Sequence, residues 1–177
     1  MRPSAHGFDN QAFFDAVETR RRALELTWPK LVNRIWEQSR VLNELRKDHP
    51  ISTDTIRKMG ERGDISCQHA LFVLRWLDAP PETFIAMPQP GTAEIALPEA
   101  DETQRLRWDL HKLYSVLNQA RTKHGATWGQ TAERLRCTSS QLTGLRTVKF
   151  AIGMRLAMRI TQALRRPAAD FVYAADW

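Results

Sequence analysis

Apolar positions mark the second part of the chain as a succession of helices. Leu106, Leu110, Leu113, Leu117 and Ala120 follow one another at steps of four, three, four and three residues, which draws one stripe down a first helix. Gly125 is placed to end it. Thr127, with Gln130 three residues on, has the spacing of a capping box for a second helix reaching to about Arg136. Thr138 and Gln141 repeat that device and open a third helix only a few residues later. Met154, Ala157, Ile160, Thr161 and Leu164 line a fourth helix. Pro167 suits the first turn of a short fifth helix that carries Phe171 into the core.

The same order can be read earlier in the chain. Phe13, Val17 and Leu24 mark a first helix, and Ala70, Leu71, Leu74 and Leu77 mark a fourth. Thr27-Trp28 answers Thr127-Trp128, and the run from Ile51 to Met59 lies against Cys137 to Leu145 with apolar residues at matching places. Leu77 is followed by a proline at three and a phenylalanine at seven residues, as Leu164 is. A pattern that recurs in order is harder to produce by chance than any single motif. The copies differ in the middle. Thr27 to Ile51 covers 24 positions whereas Thr127 to Cys137 covers 10, so the first copy holds 14 extra residues. Leu31, Ile35, Leu42 and Leu45 keep an apolar seam from Trp28 to Arg46, which predicts an elongated second helix stopped by Asp48-His49-Pro50.

Charge separates the parts further. Residues 1–87 hold 13 Lys/Arg against 12 Asp/Glu, and residues 88–103 hold four acidic residues and no basic one. Residues 104–177 hold 13 Lys/Arg against 4 Asp/Glu, which suggests a polyanionic partner for that portion. Prolines at 88, 90 and 98 forbid a continuous helix between the copies. The expected organisation is therefore a first domain at 1–87, an acidic linker at 88–103 and a basic second domain at 104–177. Fully extended, such a linker would reach roughly 50 Å, more than the ~34 Å of one turn of DNA.

With these elements in order, the chain resembles the lambda-repressor-like helix-turn-helix family of bacterial and phage DNA-binding regulators. The match is best from Thr127 to Leu145, which is similar to the family's second helix, turn and recognition helix, with Ala132 as the small residue where the helices cross. The resemblance implies an all-α fold of two tandem five-helix domains, the first with an elongated second helix, and double-stranded DNA as the partner. It implies that Ser139, Ser140, Gln141 and Thr143 face base edges, Gln141 being suited to paired hydrogen bonds with adenine. Thr138 opens that helix. Gln130 and the first-turn amides of the preceding helix would meet a phosphate, and Arg146 and Lys149 would grip the backbone. In the first copy, Thr53, Thr55, Arg57 and Lys58 fall at the corresponding helix, but Asp54 among them would repel a phosphate. Two departures from the family pattern stand out: Arg136 occupies the turn position where glycine is preferred, at a cost of about 1 kcal/mol if left-handed, and Val32 replaces the small alanine in the first copy.

A second reading is a protein-interaction module, with a homodimer formed through Leu31, Ile35, Leu42 and Leu45 and the first domain away from DNA. An enzyme is not expected, because the Asp, Glu, His and Cys residues form no recognisable catalytic constellation. No cofactor or metal is expected either; Cys67 and His69 are close, but no second Cys or His cluster lies at metal-site spacing. The two cysteines, Cys67 and Cys137, are read as reduced thiols, the chain as cytoplasmic, and a membrane as no partner, since no apolar run approaches the ~18–20 residues of a span.

Overall fold

The computed structural model describes residues 7–92, 95–147 and 152–177. Among them the chain forms nine α-helices and two short strands: α1 (Asn10–Ala23), α2 (Trp28–Glu37), α3 (Arg40–Arg46), α4 (Thr53–Arg62), α5 (Cys67–Leu77), β1 (Arg105–Trp108), α6 (Leu110–Lys123), α7 (Trp128–Leu135), α8 (Ser139–Gly144), α9 (Met154–Ala163) and β2 (Val172–Ala175). The fold is thus mainly helical, in keeping with the all-α expectation, with one small addition: β1 and β2 pair antiparallel, Trp108 opposite Val172 and Leu106 opposite Ala174. Leu106 therefore belongs to a strand, and α6 begins after Asp109, whose carboxylate caps it by accepting from the Lys112 amide at 2.8 Å. The expected fifth helix is a 3₁₀ turn, Ala168–Phe171, and it does bury Phe171.

The repeat seen in the residues is also a repeat of contacts. Asp9 caps α1 as Asp109 caps α6, and the two aspartate amides donate to Phe84 O and Phe171 O at 2.8 and 2.7 Å. Phe14 stacks on Trp28 and Tyr114 on Trp128, while the Arg21 and Arg121 guanidinium groups lie 4.5 and 4.7 Å from the respective indole centroids. Each arginine also donates to the carbonyl just before the next cap, Leu26 O at 2.6 Å and Ala126 O at 2.7 Å. An isolated bridge joins Phe8 to Ile85 where the other half has the β1–β2 pair.

The 14 extra residues do not lengthen α2. The helix stops at Glu37 and a separate helix, α3, follows. Ser39 between them is buried, and its hydroxyl donates to Gln104 O while accepting from Arg75. Leu31, Ile35 and Leu42 are buried in the chain's own core and only Leu45 is exposed, so the expected dimer seam is not a free surface.

The halves meet through α5 and α9, which lie against each other with seven buried residues each. Their starts are tied reciprocally: the Cys67 amide donates to Ile152 O at 2.9 Å and the Met154 amide to Ile65 O at 2.7 Å. One hydrophobic cluster runs through both halves. The described residues on either side of 93–94 are tied to the helices rather than free. Gln162 accepts from the Gln89 amide at 2.6 Å and donates to buried Thr92 at 3.2 Å. Arg75 on α5 donates to Ala100 O and Asp101 O at 2.6 and 3.1 Å, and the first amides of α3, Val41 and Leu42, donate to Glu102 O. Arg105, 3% exposed, holds α3 from the other side by donating to Asn43 Oδ1 and pairing with Asp48. That guanidinium holds the Asp48 carboxyl below its usual range.

Candidate nucleic-acid interface

The exposed edge of the basic half is built around α7 and α8, and local capping fixes both. Thr127 accepts from the Gln130 amide at 3.1 Å while Gln130 Oε1 accepts from the Thr127 amide at 2.9 Å. The same box starts α8, where Thr138 and Gln141 exchange bonds of 2.9 and 3.2 Å. Two boxes so close require a sharp change of direction. Arg136 supplies it with φ 54°, ψ 51°, the left-handed conformation that the sequence made costly for a residue with a side chain. The Arg159 guanidinium compensates by donating to Leu135 O at 2.8 Å and Arg136 O at 3.0 Å, which satisfies the carbonyl end of α7. Arg159 is thus a clamp on the turn, although nothing in its own helix announces that role.

Leu142 and Leu145 point inward and are fully buried, which leaves the other face of α8 to solvent. Thr138, Ser140, Gln141, Thr143 and Arg146 are exposed and Ser139 is half-buried, so the chain's own packing leaves this row uncovered. Lys149 lies outside the described residues. Gln130 is exposed at the start of α7, where the first turn carries no acidic residue. Gln141 has only its Nε2 free, because the box engages its Oε1; paired bonding to a base would require it to release the cap. Thr143 returns its hydroxyl to Ser139 O at 3.1 Å.

The electrostatic surroundings are one-sided. From residue 134 to 169 the sequence holds eight Lys/Arg and no Asp or Glu. Arg134, Arg136, Arg146 and Arg155 are exposed on this stretch. Of the cations in this run the family resemblance points only to Arg146 and Lys149; the absence of acidic residues points to the rest.

The corresponding helix of the first half is differently endowed. Thr53 and Thr55 are half-buried, and the Thr55 hydroxyl lies 2.9 Å from that of Ser52. Arg57 and Lys58 both pair with Asp54, at 3.3 and 3.1 Å, and the Lys58 hydrogen bond holds that carboxyl below its ordinary range, so it stays ionised. These two cations are therefore engaged by a carboxylate of their own helix, whereas Arg146, just after α8, has no acidic partner among the described residues.

Among the described residues, no group of three or more His, Cys, Asp or Glu is placed to hold a metal ion. Both cysteines are free; burial pushes the Cys67 thiol up to about 12. Among the described residues no helix is long and apolar enough to cross a membrane. Compared with protein-family models, curated proteins and solved structures, the chain matches none of them.

Proposed function

We propose that the chain is a DNA-binding transcriptional regulator of the lambda-repressor-like helix-turn-helix kind, acting in the cytoplasm and reading the major groove of duplex DNA with α8. The observation that carries this reading is the uncovered row of hydroxyl and amide side chains on α8, set in a stretch with eight cations and no acid. Short polar side chains on a protruding helix can meet base edges, and the cations around them attract and position phosphates. In this reading Gln130 and the start of α7 meet one phosphate, Arg146 and Lys149 grip another, and Ser139, Ser140, Gln141 and Thr143 face the bases. The two halves are then tandem copies of the helix-turn-helix unit. The first, with its α4 cations drawn to Asp54, braces the second rather than contacting DNA.

The test is selection of bound sequences from a random duplex library, followed by two variants. Arg146→Ala should weaken binding to every sequence and flatten the salt slope by about 1. Gln141→Glu keeps the capping box but replaces the free donor by an acceptor, so the preference should change at one base position. No enrichment of any sequence and no salt-sensitive binding would overturn the proposal.

A further inference from the structure

The two halves differ at one place in a way that makes a cleft. Between α6, α7 and the end of α9 lies an opening of about 520 Å³ with an apolar floor that includes Leu117, Leu135 and Leu164. The repeat assigns its walls counterparts in the first half. Asp9 and Asp109 as caps, with Trp28 and Trp128 as helix starts, align α1–α2 with α6–α7. The reciprocal bonds at Ile65 and Ile152, and the left-handed Asp78 and Arg165 at φ 53° each, align α5 with α9. In that register Arg20, Leu26, Leu31 and Trp76 correspond to Ala120, Ala126, Thr131 and Ala163, all four of which line the cleft.

The first half therefore shows what such a space holds. Trp76 is 6% exposed, its ring lies 4.8 Å beneath the Arg20 guanidinium, and Leu26 and Leu31 are buried beside α1 and α5. In the second half all four positions carry a smaller side chain, so an apolar, indole-sized space stands open. Its rim carries two guanidinium groups. Arg134, Arg165 and His124 line it, and neither arginine has an acidic partner among the described residues, whereas Arg121 is spent on Asn118, Ala126 O and the Trp128 face.

We propose that this cleft binds a small planar aromatic carboxylate, with its ring on the floor where the repeat places the Trp76 indole and its carboxylate at Arg134 and Arg165. The ring recovers the apolar contact that Ala163 and Ala120 do not make, and the charge meets guanidinium groups with no acidic partner among the described residues. The proposal does not rest on DNA binding, although Gln130 and Arg134 border both the cleft and the proposed interface, and its test contains no nucleic acid.

Indole-3-acetate is titrated into the full chain, with amide chemical shifts and calorimetry as readouts. Saturable one-site binding with a dissociation constant below about 1 mM is expected, with shifts gathered at Ala120, Ala126, Thr131 and Ala163. Uncharged indole should bind roughly tenfold more weakly, and Arg134→Ala with Arg165→Ala should bring the acid down to the same level. Ala163→Trp supplies the first half's own residue and should abolish binding. Should that variant not fold, Thr131→Leu, which copies Leu31, should reduce binding at least several-fold. Absence of saturation, shifts located elsewhere, or undiminished affinity in a folded filled variant overturns the proposal.

Discussion

Arg75 is the residue on which docking of the 100–104 segment and the inserted helix most depends, and Arg75→Met isolates its contribution. Its guanidinium donates five hydrogen bonds: to Ser39 Oγ at 2.9 Å, and to the carbonyls of Gln38, Ala100, Asp101 and Gln104 at 2.8, 2.6, 3.1 and 3.2 Å. Burial lowers its pKa from the ordinary arginine value, a sign that these bonds offset a real desolvation cost. A net bond from a charged donor stabilises by about 1.5–3 kcal/mol, but five sharing one group do not add, and the carbonyls near the surface regain water. Methionine keeps the apolar stem, so the expected loss is about 2–4 kcal/mol, a large part of the ~5–15 kcal/mol typical of a domain. Denaturant unfolding followed by circular dichroism measures the total. Hydrogen exchange locates it, because the Val41 and Leu42 amides, which donate to Glu102 O, should lose protection before the amides of α1 and α6. Arg75→Lys should recover less than half, since an ammonium cannot fork between carbonyls on two segments. A change in stability under about 0.5 kcal/mol, with Val41 and Leu42 still protected, would show that Arg75 does not hold these segments together.

Two further outcomes are expected. A Cβ at Gly153 would collide with Asp64 Oδ2, and Asp64 caps α9 from the other half by accepting from the Arg155 amide at 3.2 Å. Gly153→Ala should therefore cost about 1–3 kcal/mol in denaturant unfolding, while Gly153→Ser with Asp64→Ala should regain most of it by copying the Ser66 cap of α5. Glu82, 3% exposed, accepts from the Ala168 amide at 2.7 Å through Oε1 and leaves Oε2 unpartnered, and burial pushes its pKa above the ordinary carboxyl value. The native state then holds the proton at a pH where the unfolded chain has lost it. Stability should fall as pH rises from the ordinary carboxyl value through the raised one and be flat outside that window. Glu82→Gln should remove this slope in melting curves taken across acid pH; a slope that persists would assign it to another group.

Where spacing within a few residues decides the structure, the sequence was sufficient. Thr127 with Gln130 and Thr138 with Gln141 form the boxes their spacing implied, Arg136 takes the left-handed turn, and the repeated order of helices recurs as repeated contacts. What escaped depends on partners far along the chain. The step of four from Leu106 to Leu110 fits a helix, yet Leu106 pairs with Ala174 in a strand that only the folded chain brings near. The seam from Leu31 to Leu45 reads as one helix because nothing local shows that Ser39 will be buried against Gln104 and Arg75, where the helix breaks. Residues 88–103 look like a free tether by composition, but Gln89, Thr92, Ala100 and Asp101 find their anchors on α5 and α9. At the interface, spacing located the start of α8 and the family resemblance named its outward residues. It missed the Arg159 clamp and the engagement of Gln141 Oε1 by its own cap.

Whether α8 and the start of α7 receive a duplex, as proposed, is decided by titrating a short duplex carrying a selected sequence into the full chain while amide chemical shifts are followed at low and then raised salt. Changes are expected to gather at Gln130, Thr138 to Thr143 and Arg146 and to weaken as salt rises, with Thr53 to Lys58 of α4 unmoved. Shifts confined to another surface, or none at low salt, would contradict the proposal.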